Sequence, residues 1–369
     1  MPFVSSGSDT SESVTEGADP AAGNPIGLRV VVTGAAGAIG AHVADRLAAN
    51  DGVSELIGID RRAADGVTRL DLLSGDLSDI VSSADVLVHL AATPIGVTSD
   101  GDEAMTDKAL AARMLEAASS VGITHVVLAS SAMVYGAWHD NPMPLTEGAV
   151  IRPNPELGFA ITRAEIEDMG ERWATETGNA LTIVRPATTM ARGRQNMLAL
   201  HLRNSAALRN SDGDAPAQFL HAEDLAAAIE ILVIGRHEGI YNVAADGWLR
   251  PSEVIALRGV PETPVRVPSV VISAVSDVRR RFGGRTHPGL TAYLQYPWVI
   301  ANDKLKALGW EPEFSNSEAY VTGYLPSRFD GVTAERRQEL ALGAAGAAIA
   351  AGALGVVGVA SWAVRRGSR

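Results

Sequence analysis

Residues 29–40, RVVVTGAAGAIG, give the strongest indication of the fold. A run of β-branched apolar residues leads into Gly34, Gly37 and Gly40, which are spaced by three, and an alanine-rich stretch follows. Glycines at such a turn let the backbone approach a pyrophosphate, and the following helix N-terminus presents free N–H groups to the anion. The segment therefore predicts a strand, a phosphate-binding turn and a helix.

A carboxylate stands where the second half of this motif requires one. About twenty residues after Gly40, an apolar strand ends in Asp60, the position of an acid that binds the adenosine ribose. Strand, glycine turn, helix, strand and acid in this order predict a dinucleotide site. Asp60 favours NAD because its carboxylate repels the 2′-phosphate of NADP. Arg61 and Arg62 leave NADP open, since an arginine pairs with such a phosphate.

Strands and helical patterns alternate from residue 28 onward. Apolar strands are predicted at 29–33, 56–60, 67–70, 86–90, 125–130 and 181–185, with helices at 41–49, 107–119 and 162–175 between them. This alternation predicts an α/β fold with a doubly wound parallel sheet of the Rossmann type, which binds ligands at the carboxyl ends of its strands. The pattern becomes less regular after Pro186 and predicts a smaller C-terminal substrate lobe.

The predicted domain limits follow from these patterns. Residues 28–235 form the NAD(P)-binding Rossmann domain, with part of 187–218 contributing to the substrate lobe. Residues 236–330 form mostly substrate lobe. Residues 1–27 lack an apolar pattern and are rich in Ser, Gly, Asp and Glu, which predicts a disordered acidic leader.

Composition excludes several classes of function. The net charge of −12 argues against a nucleic-acid partner, because phosphate binding needs a basic face. The chain has no cysteine, so it has neither disulfides nor thiolate metal sites. Its eight histidines include no pair at helical ligand spacing, and no metal site is expected.

The far end of the chain predicts a C-terminal transmembrane helix. Residues 340–364 contain no charged residue, and arginines flank them on both sides. The segment has the length of a membrane span, and it shows no polar face of the kind that a soluble surface helix carries. The expected location is cytoplasmic, with the chain anchored to the cytoplasmic face of the membrane. An apolar helix packed on the body or on a partner is the alternative.

The ordered motifs resemble a known family. The chain is similar to the extended short-chain dehydrogenase/reductase superfamily and, within it, to the NAD-dependent epimerase/dehydratase branch, whose best-known members act on nucleotide sugars. The resemblance covers about residues 28–325. It rests on residues 33–40, Asp60, Asp71-Leu72, residues 89–92, residues 130–136, Arg185-Pro186 and residues 219–226.

The resemblance implies a set of residues that contact NAD. The glycine turn holds the pyrophosphate, Asp60 binds the adenosine ribose, and the pair 71–72 flanks the adenine, with 76–77 as a less well-spaced alternative. The segment after the fourth strand lines the path to the nicotinamide. The implied cofactor-binding residues are Gly34, Gly37, Ile39, Gly40, Asp60, Arg61, Asp71, Leu72, Leu90, Ala91, Ala92, Arg163 and Pro186.

The resemblance also implies a catalytic relay, from which this chain departs. The family uses a Ser or Thr, and a Tyr and a Lys four residues apart on one helix; the tyrosine exchanges a proton with the substrate hydroxyl. Ser131 matches the first position, whereas Phe159 stands at the tyrosine position and Arg163 at the lysine position. An arginine can keep the contact with the nicotinamide ribose, but a phenylalanine cannot transfer a proton.

Three residues near this motif are candidates to replace the missing acid. Tyr135 is expected to pack against the turn after the fifth strand, and His139 lies in a polar loop. Glu165 points away from the helix face that carries Arg163. Asp107 replaces the asparagine that the family usually carries, and an ordinary helix cap would explain it.

Four arginines are candidates for substrate binding. Arginine forks suit a diphosphate such as a nucleotide sugar supplies, although a solvated basic loop explains the same residues. These candidates are Arg192, Arg194, Arg281 and Arg285.

Two functions follow from these residues. The first is an NAD-dependent epimerase/dehydratase that transfers hydride on a nucleotide sugar or a related hydroxyl or keto substrate, with an atypical acid–base site. The second is a catalytically degenerate NAD-binding sensor, scaffold or regulatory protein, which Phe159 supports. Dimer interfaces built from two helices are common among similar proteins, so a homodimer is expected under either.

Overall fold

The computed structural model describes residues 27–82, 84–93, 100–192, 198, 209–210, 215–257, 266–267 and 288–323. The predicted leader, apart from its last residue, and the predicted membrane segment at 340–364 lie outside these residues. Within the described ranges, no helix has both the length and the apolar character that crossing a membrane requires.

Strands and helices alternate through most of the described chain. The strands are β1 (Leu28–Thr33), β2 (Val53–Asp60), β3 (Val67–Arg69), β4 (Val86–His89), β5 (His125–Ala129), β6 (Ala180–Pro186), β7 (Thr188–Met190), β8 (Arg209–Asn210), β9 (Phe219–His221), β10 (Gly239–Val243) and β11 (Arg266–Val267). The helices are α1 (Ala38–Ala48), α2 (Ser78–Val81), α3 (Asp100–Val121), α4 (Gly158–Thr177), α5 (Ala222–Ile234), α6 (Pro251–Leu257), α7 (Ala292–Gln295), α8 (Asp303–Lys306) and α9 (Asn316–Thr322).

Seven strands form one parallel sheet in the order β10-β6-β5-β4-β1-β2-β3. The chain starts in the middle of the sheet at β1, builds outward to β3, and then returns past β1 to β4. This reversal between β1 and β4 opens a crevice at their carboxyl ends. The predicted doubly wound sheet is therefore confirmed. Its seventh strand, β10, lies beyond residue 235, the predicted end of the Rossmann domain.

The central strands are buried on both faces. Along β1, Val30 and Val32 belong to the core on one face and Val31 to the core on the other. The first core includes apolar residues of α1 and α5, and the second those of α3 and α4. Since both faces are covered, the strands appear in the sequence as continuous apolar runs rather than as alternating patterns.

A fully buried ion pair joins α4 to β6. The Arg185 guanidinium donates to both carboxylate oxygens of Glu167, with Nη2 to Oε2 at 2.6 Å and Nε to Oε1 at 3.0 Å. Its Nη1 donates to the hydroxyl oxygen of Tyr135 at 2.8 Å, and the Ser130 hydroxyl donates to Glu167. The network fixes the turn after β5 against the helix that carries Phe159.

The later part of the chain is attached to the sheet domain through two buried polar side chains. Gln218 exchanges hydrogen bonds with the backbone of Ile300, accepting at 3.0 Å and donating at 3.1 Å. The carboxylate of Asp224 accepts from the backbone N–H groups of Glu313 and Phe314 at 2.9 and 3.2 Å. These contacts hold residues 297–316 against the sheet domain, and a separate small core around Phe219 and Tyr320 lies beside them.

The buried His125 makes the fold sensitive to acid. The Thr182 hydroxyl donates its proton to the His237 carbonyl at 2.6 Å, so the 2.7 Å contact of His125 Nε2 with Thr182 Oγ1 requires Nε2 to donate. Nδ1 is then the basic nitrogen, and it is buried without a hydrogen-bond partner. Burial, together with the nearby Arg236 and His237, lowers the pKa of His125 to about 4.

We therefore expect the free energy of unfolding to fall as the pH drops below about 6.5. In that range the unfolded chain binds a proton at residue 125 that the folded chain excludes, and the difference reaches about 2 kcal/mol near pH 5. Urea unfolding between pH 7.5 and pH 5 measures it. His125→Gln should remove this contribution to the slope, whereas His139→Gln should leave the slope as it is, because the His139 side chain is 82% exposed. Equal slopes in the parent and in His125→Gln would contradict the assignment.

Candidate functional site

The glycine turn brings the backbone of β1 against the end of β4. Gly34 has a φ of +77°, and its N–H donates to the Ile59 carbonyl at 2.8 Å. A Cβ at this position would lie 2.8 Å from the backbone nitrogen of Ala91. Only a residue without a side chain leaves the turn close enough to β4 to form the floor of the crevice.

Helix α1 begins directly after this turn and points its N-terminus into the crevice. Gly37 is its N-cap, and neither a side-chain cap nor an acidic residue in the first turn competes for the free N–H groups. A Cβ at Gly40 would collide with the Gly34 carbonyl oxygen, so the glycine permits the close packing of helix on turn. The backbone therefore fits the pyrophosphate that the sequence predicts, with Ile39 in the first turn.

The Asp60 carboxylate faces the same turn from the end of β2. Its Oδ2 accepts from the N–H of Ala36 at 3.1 Å, and its Oδ1 accepts from the backbone N–H of Arg62 at 2.9 Å and from the guanidinium at 3.3 Å. Burial raises the pKa of Asp60, but the hydrogen bonds from Arg62 and Ala36 outweigh burial, so its pKa lies below the ordinary value. Asp60 is therefore an ionised acceptor.

The two arginines next to Asp60 differ in what they contact. The Arg62 guanidinium pairs with Asp60 and lies close to Gly37. The Arg61 carbonyl accepts from the guanidinium of Arg69 at 3.3 Å, and Arg61 itself is exposed. Because Arg62 is paired with a carboxylate, the arrangement favours NAD, and the expectation that Arg61 contacts the cofactor stays a prediction.

The other predicted cofactor residues lie along the carboxyl edge of the sheet. Asp71 is exposed just beyond β3, where its Oδ1 accepts from the N–H of Leu73 at 2.9 Å, and Leu72 is buried. Beyond β4, the Leu90 N–H donates to the Thr33 carbonyl at 3.1 Å. Of the residues that follow it, Ala91 is half-buried and Ala92 exposed. Pro186 ends β6, next to Val243 in the register.

Ser131 lies at the end of β5, on the far side of β4 from the glycine turn. It is half-buried and caps the short 3-10 helix at Ala132–Tyr135, where its Oγ accepts from the N–H of Met133 at 3.2 Å. In this position its hydroxyl proton remains available for donation at the carboxyl edge of the sheet. This hydrogen bond fits the interpretation of Ser131 as a turn serine, and its role beside a substrate stays a prediction.

Tyr135 is held by the buried network behind the site. Its hydroxyl donates to Asn242 Oδ1 at 2.8 Å and accepts from Arg185. Burial raises the pKa of Tyr135, although Arg185 and Asn242 oppose the shift. The prediction that this tyrosine packs against the turn is confirmed, and its proton is not available to a substrate.

Arg163, at the lysine position of the family helix, forms a buried ion pair. Its Nη2 donates to Asp107 Oδ2 at 2.5 Å, and the two side chains are only 5% and 4% exposed. Asp107 Oδ1 accepts from the N–H of Thr93 at 2.9 Å, and the Arg163 guanidinium stacks on the Phe159 ring at 5.1 Å. Burial lowers the pKa of Arg163, while Asp107 and Glu167 oppose that shift.

This ion pair gives Asp107 a role that the sequence alone did not reveal. Helix α3 begins at Asp100 rather than at the predicted residue 107, because residues 100–106, DGDEAMT, continue the helix without an apolar pattern. Asp107 therefore lies within the helix, and the explanation of Asp107 as a helix cap is wrong. One feature of the sequence pointed to this ion pair. Relative to the family pattern, an acid replaces the asparagine at position 107, and an arginine replaces the lysine at position 163.

The other candidate acids lie away from the crevice. His139 is exposed, 4.0 Å from Asp140. Glu165 pairs with Lys108 at 2.9 Å on the outer face of α3 and α4, as expected from its place on the helix. Neither His139 nor Glu165 is placed to exchange a proton with a group at the end of β5.

The predicted substrate arginines are mostly beyond what the structure describes. Arg192 is exposed just after β7. Arg194, Arg281 and Arg285 lie outside the described residues, so their contact with a substrate remains a prediction. Across the described ranges, no cluster of three or more His, Asp or Glu side chains could hold a metal ion.

Comparisons with known proteins agree with this geometry. The family model of the NAD dependent epimerase/dehydratase family matches residues 30–244. Uncharacterized proteins of Mycobacterium bovis and Mycobacterium tuberculosis are 27% identical over 312 residues, which cover 79% of this chain and 82% of theirs.

Several solved structures share the fold. The UDP-glucose 4-epimerase of Thermotoga maritima with UDP-glucose has a TM-score of 0.61 at 19% identity, covering 80% of this chain and 97% of that one. MoeE5 in complex with UDP-glucuronic acid and NAD gives 0.62 at 22%, with 80% and 97% covered. A dTDP-glucose 4,6-dehydratase double mutant of Streptomyces venezuelae with NAD bound gives 0.61 at 20%, with 80% and 95% covered.

Proposed function

The chain belongs to the NAD-dependent epimerase/dehydratase family, and from that premise we propose that it binds NAD across the carboxyl edge of its sheet and exchanges hydride with a nucleotide sugar or a related hydroxyl or keto substrate. The observation that carries the proposal is the crevice itself, in which the glycine turn, the free N-terminus of α1 and the ionised Asp60 face one another. These are the features that a dinucleotide requires.

The proposed NAD site extends along the carboxyl edge of the sheet, and different residues contact different parts of the cofactor. Asp60 at the end of β2 would accept from the adenosine ribose. The Gly37 N–H donates to the Gly34 carbonyl at 2.8 Å, so the pyrophosphate would accept from the first turn of α1 at Ile39. The nicotinamide would extend past Leu90 toward β5, where Ser131 lies. Bound NAD supplies the acceptor or donor of hydride, and no other redox group is needed.

Ser131 would orient the reacting hydroxyl of the substrate. Its Oγ uses one lone pair for the Met133 N–H and keeps its own proton for a substrate oxygen. The usual tyrosine is replaced by Phe159, so the substrate proton would pass to solvent water while Ser131 donates to the same oxygen. Turnover should be about 10²–10⁴-fold below that of a site with a positioned acid–base group. The nucleotide sugars named for the structural neighbours support this class of substrate.

A second function is favoured by the arrangement around Arg163. Arg163 stacks on Phe159 and pairs with Asp107, so no unpaired cation is left where the tyrosine is missing. This arrangement is consistent with a protein that still binds NAD but no longer catalyses a reaction, and that acts as a sensor or scaffold. An attachment to the membrane through residues 340–364 and a homodimer are parts of this proposal.

The first experiment loads the full-length protein with NAD and offers it UDP- and dTDP-sugars, with reduced nicotinamide and sugar products followed together. We expect NAD to bind and product to form slowly, at a rate that falls at least about tenfold in Ser131→Ala. The variant Glu165→Gln, on the outer face of α4, is the control and should match the parent. NAD binding without product would reject the enzyme in favour of the second function, and failure to bind NAD would reject both.

A further inference from the structure

The charge beside the nicotinamide end of the crevice is set by two residues. Asp60 marks the adenosine end at β2, and the glycine turn after β1 marks the pyrophosphate, so the nicotinamide end falls beyond β4 toward β5. Arg163 lies there, 3.5 Å from the Ala129 carbonyl at the end of β5, and Asp107 is bound to Thr93 just beyond β4. Both carboxylate oxygens of Asp107 are therefore used at this end of the site.

Neighbouring ionisable groups do not alter this balance. Glu167 lies one turn further along α4 and is paired with Arg185 at 2.6 Å. Burial and the nearby Arg163 lower the pKa of His89 to about 3, so this histidine is neutral at pH 7. With Asp107 in place, the charge of Arg163 is cancelled, and without Asp107 a buried cation would remain.

We propose that Asp107 is a positioning residue that cancels the charge of Arg163 and thereby gives the site its preference for the oxidised cofactor over the reduced one. The oxidised nicotinamide ring carries a positive charge and the reduced ring carries none. A bare guanidinium beside the ring would repel only the oxidised form, and a charge interaction is strong where water is excluded. The proposal rests on the proposed binding of NAD in this crevice.

The ratio of the dissociation constants for NADH and NAD⁺ isolates this effect. The two forms share their adenosine, both riboses and the pyrophosphate, so damage to the fold or to the shared contacts weakens them equally. Asp107→Asn keeps the shape of the side chain and an oxygen for the Thr93 N–H but exposes the charge of Arg163. Arg163→Gln leaves the carboxylate unpaired instead.

The experiment measures both dissociation constants by titration calorimetry on the full-length protein and its variants. Asp107→Asn should shift the ratio about tenfold or more toward NADH, a size usual for coupling between neighbouring groups. Arg163→Gln should shift it in the opposite direction. The neutral double variant, Asp107→Asn with Arg163→Gln, and the charge-conserving Arg163→Lys should both return to the ratio of the parent.

Opposite shifts in the two single variants would be a signature of charge that a structural defect cannot produce. A ratio that stays within about threefold of the parent's in both variants would overturn the inference. If Asp107→Asn fails to fold, the comparison of Arg163→Gln with the double variant is sufficient. The inference requires their ratios of dissociation constants to differ, because only Arg163→Gln leaves an unpaired carboxylate. A parent that binds neither form would instead reject the proposed function.

Discussion

A variant with Phe159→Tyr, Arg163→Lys and Asp107→Asn should turn over a substrate that the parent accepts at least about 10²-fold, and up to about 10⁴-fold, faster than the parent. The tyrosine supplies the proton that phenylalanine cannot, from the N-terminal turn of α4 near Ser131. The lysine brings a compact charge that can both contact a ribose and lower the pKa of the new tyrosine. Single-turnover measurement with bound NAD gives the rate.

All three changes are needed because Asp107 and Arg163 form one unit. A lysine at 163 with Asp107 retained would pair with that carboxylate at short range, as Arg163 does at 2.5 Å. Its charge would then be cancelled before it could act on the tyrosine. Phe159→Tyr alone places the hydroxyl beside a guanidinium that is already bound on two sides. We therefore expect each smaller set of changes to gain much less than the triple variant.

The comparison of variants separates the two proposed functions. A silent parent and an active triple variant would identify a protein that has lost catalysis while keeping its NAD crevice. A parent that is already active and gains further would identify an enzyme limited by proton transfer. A triple variant that binds NAD but is no faster than an active parent would contradict the assignment of Phe159 to the proton-transfer position.

Gly34→Ala should abolish useful cofactor binding, with NAD affinity lower by at least about 10²-fold and the free energy of unfolding lower by about 3 kcal/mol. The new methyl group would sit at a φ of +77° and only 2.8 Å from the backbone nitrogen of Ala91. Backbone cannot rotate away as a flexible side chain can, so the turn itself must move. Because the N-terminus of α1, where the pyrophosphate is proposed to bind, packs directly on this turn, binding should fail along with stability.

Gly122→Ala is the matched control. Gly122 also has a positive φ, +80°, but no atom lies within 4 Å of the added Cβ, and the residue precedes β5 at the opposite edge of the sheet. It should cost only the backbone strain of about 1–2 kcal/mol and leave NAD affinity unchanged. Chemical denaturation and NAD titration of both variants provide the comparison. Equal loss of affinity in the two would show that general destabilisation, and not the close approach at Gly34, is responsible.

Six strands of the sheet and the adenosine half of the crevice could be predicted from the amino-acid sequence. A buried parallel strand appears as a run of apolar β-branched residues, and a turn that must approach a phosphate appears as glycines at fixed spacing. Both features are therefore specified by residues that are adjacent in the sequence. Asp60 could be placed for the same reason, since a strand end fixes it relative to Gly34. The confinement of Tyr135 and the outward position of Glu165 followed from local spacing as well.

The charges at the nicotinamide half of the crevice became visible only in the folded structure. Asp107 and Arg163 are 56 residues apart, on α3 and α4, and only the packing of these two helices brings their charges together. In the sequence, Asp107 resembled a helix cap and Arg163 a simple replacement of a lysine. The pairing of Arg62 with Asp60 was equally hidden, because neighbouring charges in a sequence do not show which one faces a ligand. Local patterns specify backbone geometry, whereas the net charge of a buried site depends on which distant side chains meet there.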